Sequence, residues 1–109
     1  MNEINRVIEI NRVIEILEDL KVKDVVAYDF ESASPFYDYF VIGTINERQG
    51  VAVANQLKQD PNIMVKSVEG KGGGWLLIDL GNIVVHLFKE TERQFYDFDR
   101  RLMGIKKIK

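Results

Sequence analysis

The segment Trp75-Leu76-Leu77-Ile78-Asp79-Leu80-Gly81-Asn82-Ile83-Val84-Val85-His86-Leu87-Phe88 sets two apolar runs on either side of Gly81-Asn82. A two-residue connection with glycine first suits a II′ hairpin, because glycine takes the positive φ of the first turn position without steric cost. With that turn in place, Leu80 faces Ile83, Asp79 faces Val84, Leu77 faces His86 and Trp75 faces Phe88. Side chains alternate along a strand, so the hairpin has two faces. Leu76, Ile78, Leu80, Ile83, Val85 and Leu87 form one that is wholly aliphatic and belongs in a core. Trp75, Leu77, Asp79, Val84, His86 and Phe88 form the other, which mixes large apolar groups with an acid and an imidazole. A face of that mix is either half covered by a helix or kept for a partner.

Upstream of the hairpin, Asp24 to Phe30 reads as a strand rich in β-formers, broken by Glu31-Ser32-Ala33-Ser34-Pro35. Tyr39 to Thr44 reads as a second strand. Asn46 and Gln49 have the spacing of a capping box, opening a helix whose buried stripe is Gly50, Val53, Ala54 and Leu57. Asp60-Pro61-Asn62 stops it. A third strand is expected over Ile63 to Glu69, followed by a loop from Gly70 to Gly74. Downstream, Thr91 and Gln94 repeat the capping-box spacing. The helix they open has Phe95, Phe98 and Leu102 as its apolar stripe and Gly104 as its stop.

The first helix contains a duplication, Glu3-Ile4-Asn5-Arg6-Val7-Ile8 followed by Glu9-Ile10-Asn11-Arg12-Val13-Ile14. Six residues advance a helix by about 600°, so the copies present different faces. Ile10, Val13, Ile14 and Leu17 have the spacing of a core-docking stripe, which leaves residues 1–9 expected to fray and residues 104–109 as a basic tail. The order α-β-β-α-β-β-β-α describes an α/β (α+β) domain, with a mixed sheet of about five strands covered by helices.

Composition bounds the function. The 109 residues, 46% hydrophobic and 29% charged, suit one domain over 1–109. No apolar run approaches the roughly 20 residues of a membrane span, and the start lacks a secretory pattern, so a cytoplasmic location away from membranes is expected. There are 0 cysteines, which excludes disulfides, thiol nucleophiles and zinc–thiolate sites. The net charge of −2 provides no overall surplus of cations for neutralising phosphates, so little direct rRNA binding is expected. A nucleoprotein partner would be met through its protein.

No catalytic constellation emerges, and neither a metal nor a cofactor is expected. His86 is the single histidine, with Asp79 the nearest acid on its face and no serine in a nucleophile-elbow context. Asp97 and Asp99 resemble paired magnesium-binding acids, but helical spacing turns them about 200° apart. Gly72-Gly73-Gly74 opens a strand, whereas a phosphate-binding loop opens a helix. Aromatics point elsewhere. Ser34-Pro35-Phe36-Tyr37-Asp38-Tyr39-Phe40, together with Trp75 and Phe88, has the composition of interface hot spots.

From about Val25 to Leu102 the sequence resembles the Iojap family of ribosomal silencing factors. The resemblance is carried by Asp38-Tyr39-Phe40-Val41-Ile42-Gly43-Thr44, by Asn46-Glu47-Arg48-Gln49, by the whole hairpin from Trp75 to Phe88, and by Arg93, Phe95, Tyr96 and Asp97. It implies a nucleotidyltransferase-like core without that enzyme class's activity. It also implies binding to the large ribosomal subunit through its ribosomal protein fourteen, blocked joining to the small subunit, and lowered translation when nutrients are scarce. In organelles the same family acts in ribosome assembly. Three positions depart from the family's usual pattern: Asn82 in place of aspartate, the Ser34–Tyr37 lead into Asp38, and Met103 in place of an aromatic after Leu102.

Ribosomal proteins are basic, so a docking face bearing acids beside a tryptophan complements them. The expected partner-binding residues are Trp75 as anchor, Asp38 and Asp79 as charge partners, and Tyr39, His86 and Phe88 in support. Two rivals stand beside this reading, a nucleotidyltransferase-like enzyme and a homodimer that uses the mixed face for itself.

Overall fold

A computed structural model describes residues 3–71 and 73–109. Its elements run α1 (Glu3–Asp19), β1 (Lys23–Asp29), β2 (Tyr39–Thr44), α2 (Glu47–Gln59), β3 (Ser67–Lys71), β4 (Trp75–Asp79), β5 (Ile83–Phe88), α3 (Glu90–Tyr96), α4 (Phe98–Arg101) and β6 (Lys106–Lys107). The strands form one six-stranded sheet in the order β3-β4-β5-β2-β1-β6. Every neighbouring pair is antiparallel except β2 and β5, which run parallel with Tyr39 opposite Ile83. The fold is α+β with a mixed, open sheet.

The hairpin has the expected register, Trp75 opposite Phe88, Leu77 opposite His86 and Asp79 opposite Val84. Gly81 sits at φ 89, where a side chain would be strained, and the Leu80 N–H donates to the Ile83 carbonyl at 2.9 Å. The aliphatic face lies against α1 and α2. Ile10, Val13, Leu17, Val53, Leu57, Val41, Ile78, Val85 and Leu87 belong to this larger core, each of them buried. Gly43 in β2 lets the chain between α1 and β1 come close, since a Cβ there would collide with Val22 Cγ1.

The capping box of α2 forms as spaced: the Asn46 side chain accepts from the Gln49 backbone, and the Gln49 side chain accepts from the Asn46 N–H. Gln49 also has a role that the motif does not reveal. Its Nε2 donates to the carbonyls of Leu20 and Lys21, at 3.2 and 2.8 Å, satisfying the end of α1. Gln49→Ala is therefore expected to lower the unfolding free energy by about 1–2 kcal/mol in urea titrations. Gln49→Glu keeps the box and loses both donors; native stability for that variant would show that the carbonyl contacts contribute nothing.

Four boundaries differ from expectation. The first copy of the duplication is helical from Glu3, the start of α1, and Arg6 Nη1 reaches Asp38 Oδ1 at 3.0 Å; residues 1–2 lie outside the described residues. The basic tail is a strand: β6 pairs with β1, Lys107 opposite Tyr28 and Lys106 opposite Asp29, which makes the sheet six-stranded instead of five. The third strand starts at Ser67, not Ile63. Asp60 holds the turn before it open by accepting from the Asn62 N–H and from Arg12, both at 2.9 Å, contacts that hold its carboxyl below the usual range. Finally, no Thr91 cap forms. Lys89, fixed by its N–H to the Gly74 carbonyl at 2.9 Å, is the residue from which α3 begins.

The last helix is also broken. Asp97 takes a left-handed φ of 50 and separates α3 from α4, a conformation that aspartate tolerates better than most residues. The break turns Tyr96 and Phe98 inward and leaves Phe95 80% exposed, so Phe95 is not part of the buried stripe. No helix among the described residues is long and apolar enough to cross a membrane.

Candidate partner-binding face

The face of the sheet opposite α1 and α2 is covered over only part of its width. At one end α3 and α4 press a second apolar cluster against the strands: Tyr28, Ile42 and Phe88 buried, with Trp75, Tyr96, Phe98, Leu102 and Ile105 packed around them. The Trp75 ring is bounded by Tyr96 at 4.7 Å, Phe88 at 5.2 Å and Phe98 at 5.4 Å between centroids. Trp75 stays half-buried. Its indole N–H donates to His86 Nδ1 at 3.2 Å, which fixes the direction of the ring.

His86 is an interior group. It is 4% exposed, and Phe40 and Phe98 stand edge-on to it at 4.5 and 5.0 Å. Because Nδ1 accepts from Trp75, the neutral ring carries its proton on Nε2, which is buried without a hydrogen-bond partner among the described residues. Burial among apolar rings disfavours the imidazolium and pushes the pKa from 6.5 down to about 4. At neutral pH it is an uncharged acceptor for the indole. It is not a surface contact.

Beyond α4 the face is open. Phe40 on β2, Leu77 on β4 and Val84 on β5 are half-buried, with Phe40 directly opposite Val84 in the register. Phe30 and Tyr37 pack on Phe40 at 4.9 and 4.6 Å, and Phe36 projects beside them at 83% exposure. This aromatic corner comes from the segment before β2 that the sequence singled out, plus Phe30, which the strand pattern hid. At the edge of the open area stand the two acids. Asp79 Oδ1 accepts the Gly81 N–H at 2.7 Å, and the Asp38 N–H donates to the Asn82 carbonyl at 2.7 Å, so both are anchored at the same hairpin turn.

The expected site is thus only partly assembled. The Asp38 backbone and the Asp79 side chain both bond to the hairpin turn, while the Asp38 carboxylate pairs with Arg6 of α1; Trp75 sits at the far end of β4, about 13 Å along the strand by its rise per residue. Phe88 is 1% exposed and His86 is interior, so neither reaches a partner directly. Tyr39, 7% exposed, points to the opposite face and joins the larger core. These three are therefore interior residues that support the strands, and the half-buried side chains of this face are Phe40, Leu77 and Val84. Of the acids that resemble a magnesium pair, Asp97 caps a helix break while Asp99 accepts from Arg93 at 3.3 Å and from the Tyr28 hydroxyl at 3.3 Å.

The chain is similar to known proteins over most of its length. The family described as "Ribosomal silencing factor during starvation" matches residues 3–102. The ribosomal silencing factor of Bacillus subtilis is 39% identical over 88 residues, covering 76% of this chain and 75% of that protein. The one from Halalkalibacterium halodurans is 38% identical over 89 residues, covering 77% and 76%. An Iojap-related mitochondrial protein of Arabidopsis thaliana is 25% identical over 108 residues, covering 91% of this chain and 59% of that one. Two crystal structures are similar throughout. One, from Bacillus halodurans, has a TM-score of 0.74 at 31% identity and covers 92% of this chain and 95% of that one. Another, from Chromobacterium violaceum, has a TM-score of 0.72 at 32% identity, covering 84% and 82%.

Proposed function

We propose, from the premise that this chain belongs to the ribosomal silencing factor family, that it binds the large ribosomal subunit through ribosomal protein fourteen and sterically blocks joining to the small subunit. In this reading it represses translation in the cytoplasm when nutrients are limiting. The observation that carries the docking site is the uncovered part of the sheet, where Phe40, Leu77 and Val84 lie half-buried beside Asp38 and Asp79. Apolar centre and acidic rim together suit a basic ribosomal protein. Each carboxylate has a second oxygen available for a cation, since Asp79 commits Oδ1 to the turn and Asp38 commits Oδ1 to Arg6.

Co-sedimentation with each isolated ribosomal subunit tests the reading. The protein is expected to pellet with large subunits and to reduce the joined fraction in proportion to its concentration. Leu77→Asp places a charge in the centre of the face without touching either core. It should weaken large-subunit binding by at least about tenfold, or about 1.4 kcal/mol, while leaving the urea midpoint unchanged. Pelleting with small subunits alone, or normal joining at saturating protein, would refute the proposal.

A further inference from the structure

The C-terminal decapeptide differs from the rest of the chain in charge. Five of the fifteen cations and none of the seventeen acids lie in residues 100–109, which carry +5 against −7 for residues 1–99. Net charge hides this segregation, and it is segregation that makes a local electrostatic footprint. The segment is also held in place. Leu102 and Ile105 pack on the second apolar cluster, β6 pairs with β1, and Tyr28 joins the two ends: its backbone faces Lys107 while its hydroxyl meets Asp99 on α4. Arg100, Arg101 and Lys107 are exposed, and none of them forms an ion pair among the described residues. Lys109, by contrast, is engaged with Glu18 at 2.9 Å.

Beside these cations the surface is concave. A groove of about 420 Å³ is lined by Phe95, Tyr96, Asp97, Arg100 and Arg101. Phe95 lies edge-on to Tyr96 at 5.2 Å, with 80% of its surface open. An exposed ring next to two unpaired guanidinium groups is the combination that binds single-stranded nucleic acid, with bases stacking on the ring and phosphates meeting the cations. A membrane surface fits less well, because α4 is only four residues long and offers no continuous apolar face.

We propose that Phe95, Arg100, Arg101 and Lys107 form an RNA-binding patch that takes an unpaired segment of RNA, with a base on Phe95 and phosphates on the three cations. The patch lies on the α3–α4 side of the domain and is separate from Leu77 and Val84, so it adds a second contact to the protein docking proposed above.

Fluorescence anisotropy with a short fluorescein-labelled oligouridine tests it. Binding should weaken with salt, with a log–log slope of about −2 for three phosphates on a single strand. Arg100→Glu combined with Arg101→Glu should abolish detectable binding at low salt, and Phe95→Ala should weaken it about tenfold. Leu77→Asp should leave it unchanged, so failure of subunit docking and failure of this patch are distinguishable. The proposal is overturned by absence of binding at low salt, by native affinity in the charge-reversed protein, or by binding to phosphatidylserine vesicles with none to the RNA.

Discussion

Trp75→Ala is expected to cost about 3 kcal/mol or more of unfolding free energy, a loss of fold before any loss of docking. The reason lies in what surrounds the indole: three aromatic rings within 5.4 Å and a hydrogen bond to His86. Truncation opens a cavity beneath α3 and α4 and leaves the imidazole Nδ1 without its donor. Against a typical domain stability of about 5–15 kcal/mol, that loss approaches the limit of folding. Urea titration followed by far-ultraviolet circular dichroism measures it, since the variant has no other tryptophan to report. Trp75→Phe keeps most of the packing and should lose less. A stability drop below about 1 kcal/mol, accompanied by a large loss of large-subunit binding, would restore Trp75 as a docking anchor and overturn this assignment.

Acid should destabilise the fold through His86. In the unfolded chain the imidazole titrates near 6.5, and in the folded chain burial lowers that to about 4. Between those values the unfolded state binds more protons, so stability falls as the pH falls. The stabilising contribution is complete above 6.5, declines across the interval and is gone below about 4. At about 1.4 kcal/mol per tenfold change in proton affinity, it amounts to about 3 kcal/mol. Carboxylates titrate in the same range, so the informative quantity is the difference between the native chain and His86→Asn, whose amide oxygen can still accept from the indole. The chain has a single histidine, which makes its imidazole resonance unambiguous by nuclear magnetic resonance. A midpoint near 6.5, or identical acid dependence in the variant, would contradict the buried, neutral assignment.

The hairpin and α2 were legible because each follows a local rule: a glycine-first turn with period-two alternation in one, a capping box with a small-residue stripe in the other. The covering of the mixed face was not legible. Trp75, Phe88 and Leu77 have equal apolar character in the sequence, and only the break at Asp97 determines how far α3 and α4 extend over them. Tyr39 was misplaced for a related reason. Its neighbour Phe40, not Tyr39, shares the face of His86, and the register that fixes this comes from the parallel pairing with β5. The strand β6 carries no local signal, since two lysines pair with β1 only because Leu102 and Ile105 bring them there. The acids at the rim were found by motif and charge, but their anchoring at Gly81 and Asn82 requires the fold.

The parallel pairing of β2 with β5 has a consequence for how the molecule holds together. On one side of this seam lie β6, β1 and β2, and on the other β5, β4 and β3, two triplets whose internal contacts are all antiparallel. Neighbouring strands within β1–β2 and β3–β4–β5 are joined by short connections, while the seam can form only after the intervening chain, α2 included, has closed a long loop. Neither triplet buries its aliphatic side without α1 and α2, which lie across both. Assembly therefore waits on two distant pairings, β2 with β5 and, farther apart still in sequence, β1 with β6, and the two halves stand or fall as one cooperative unit.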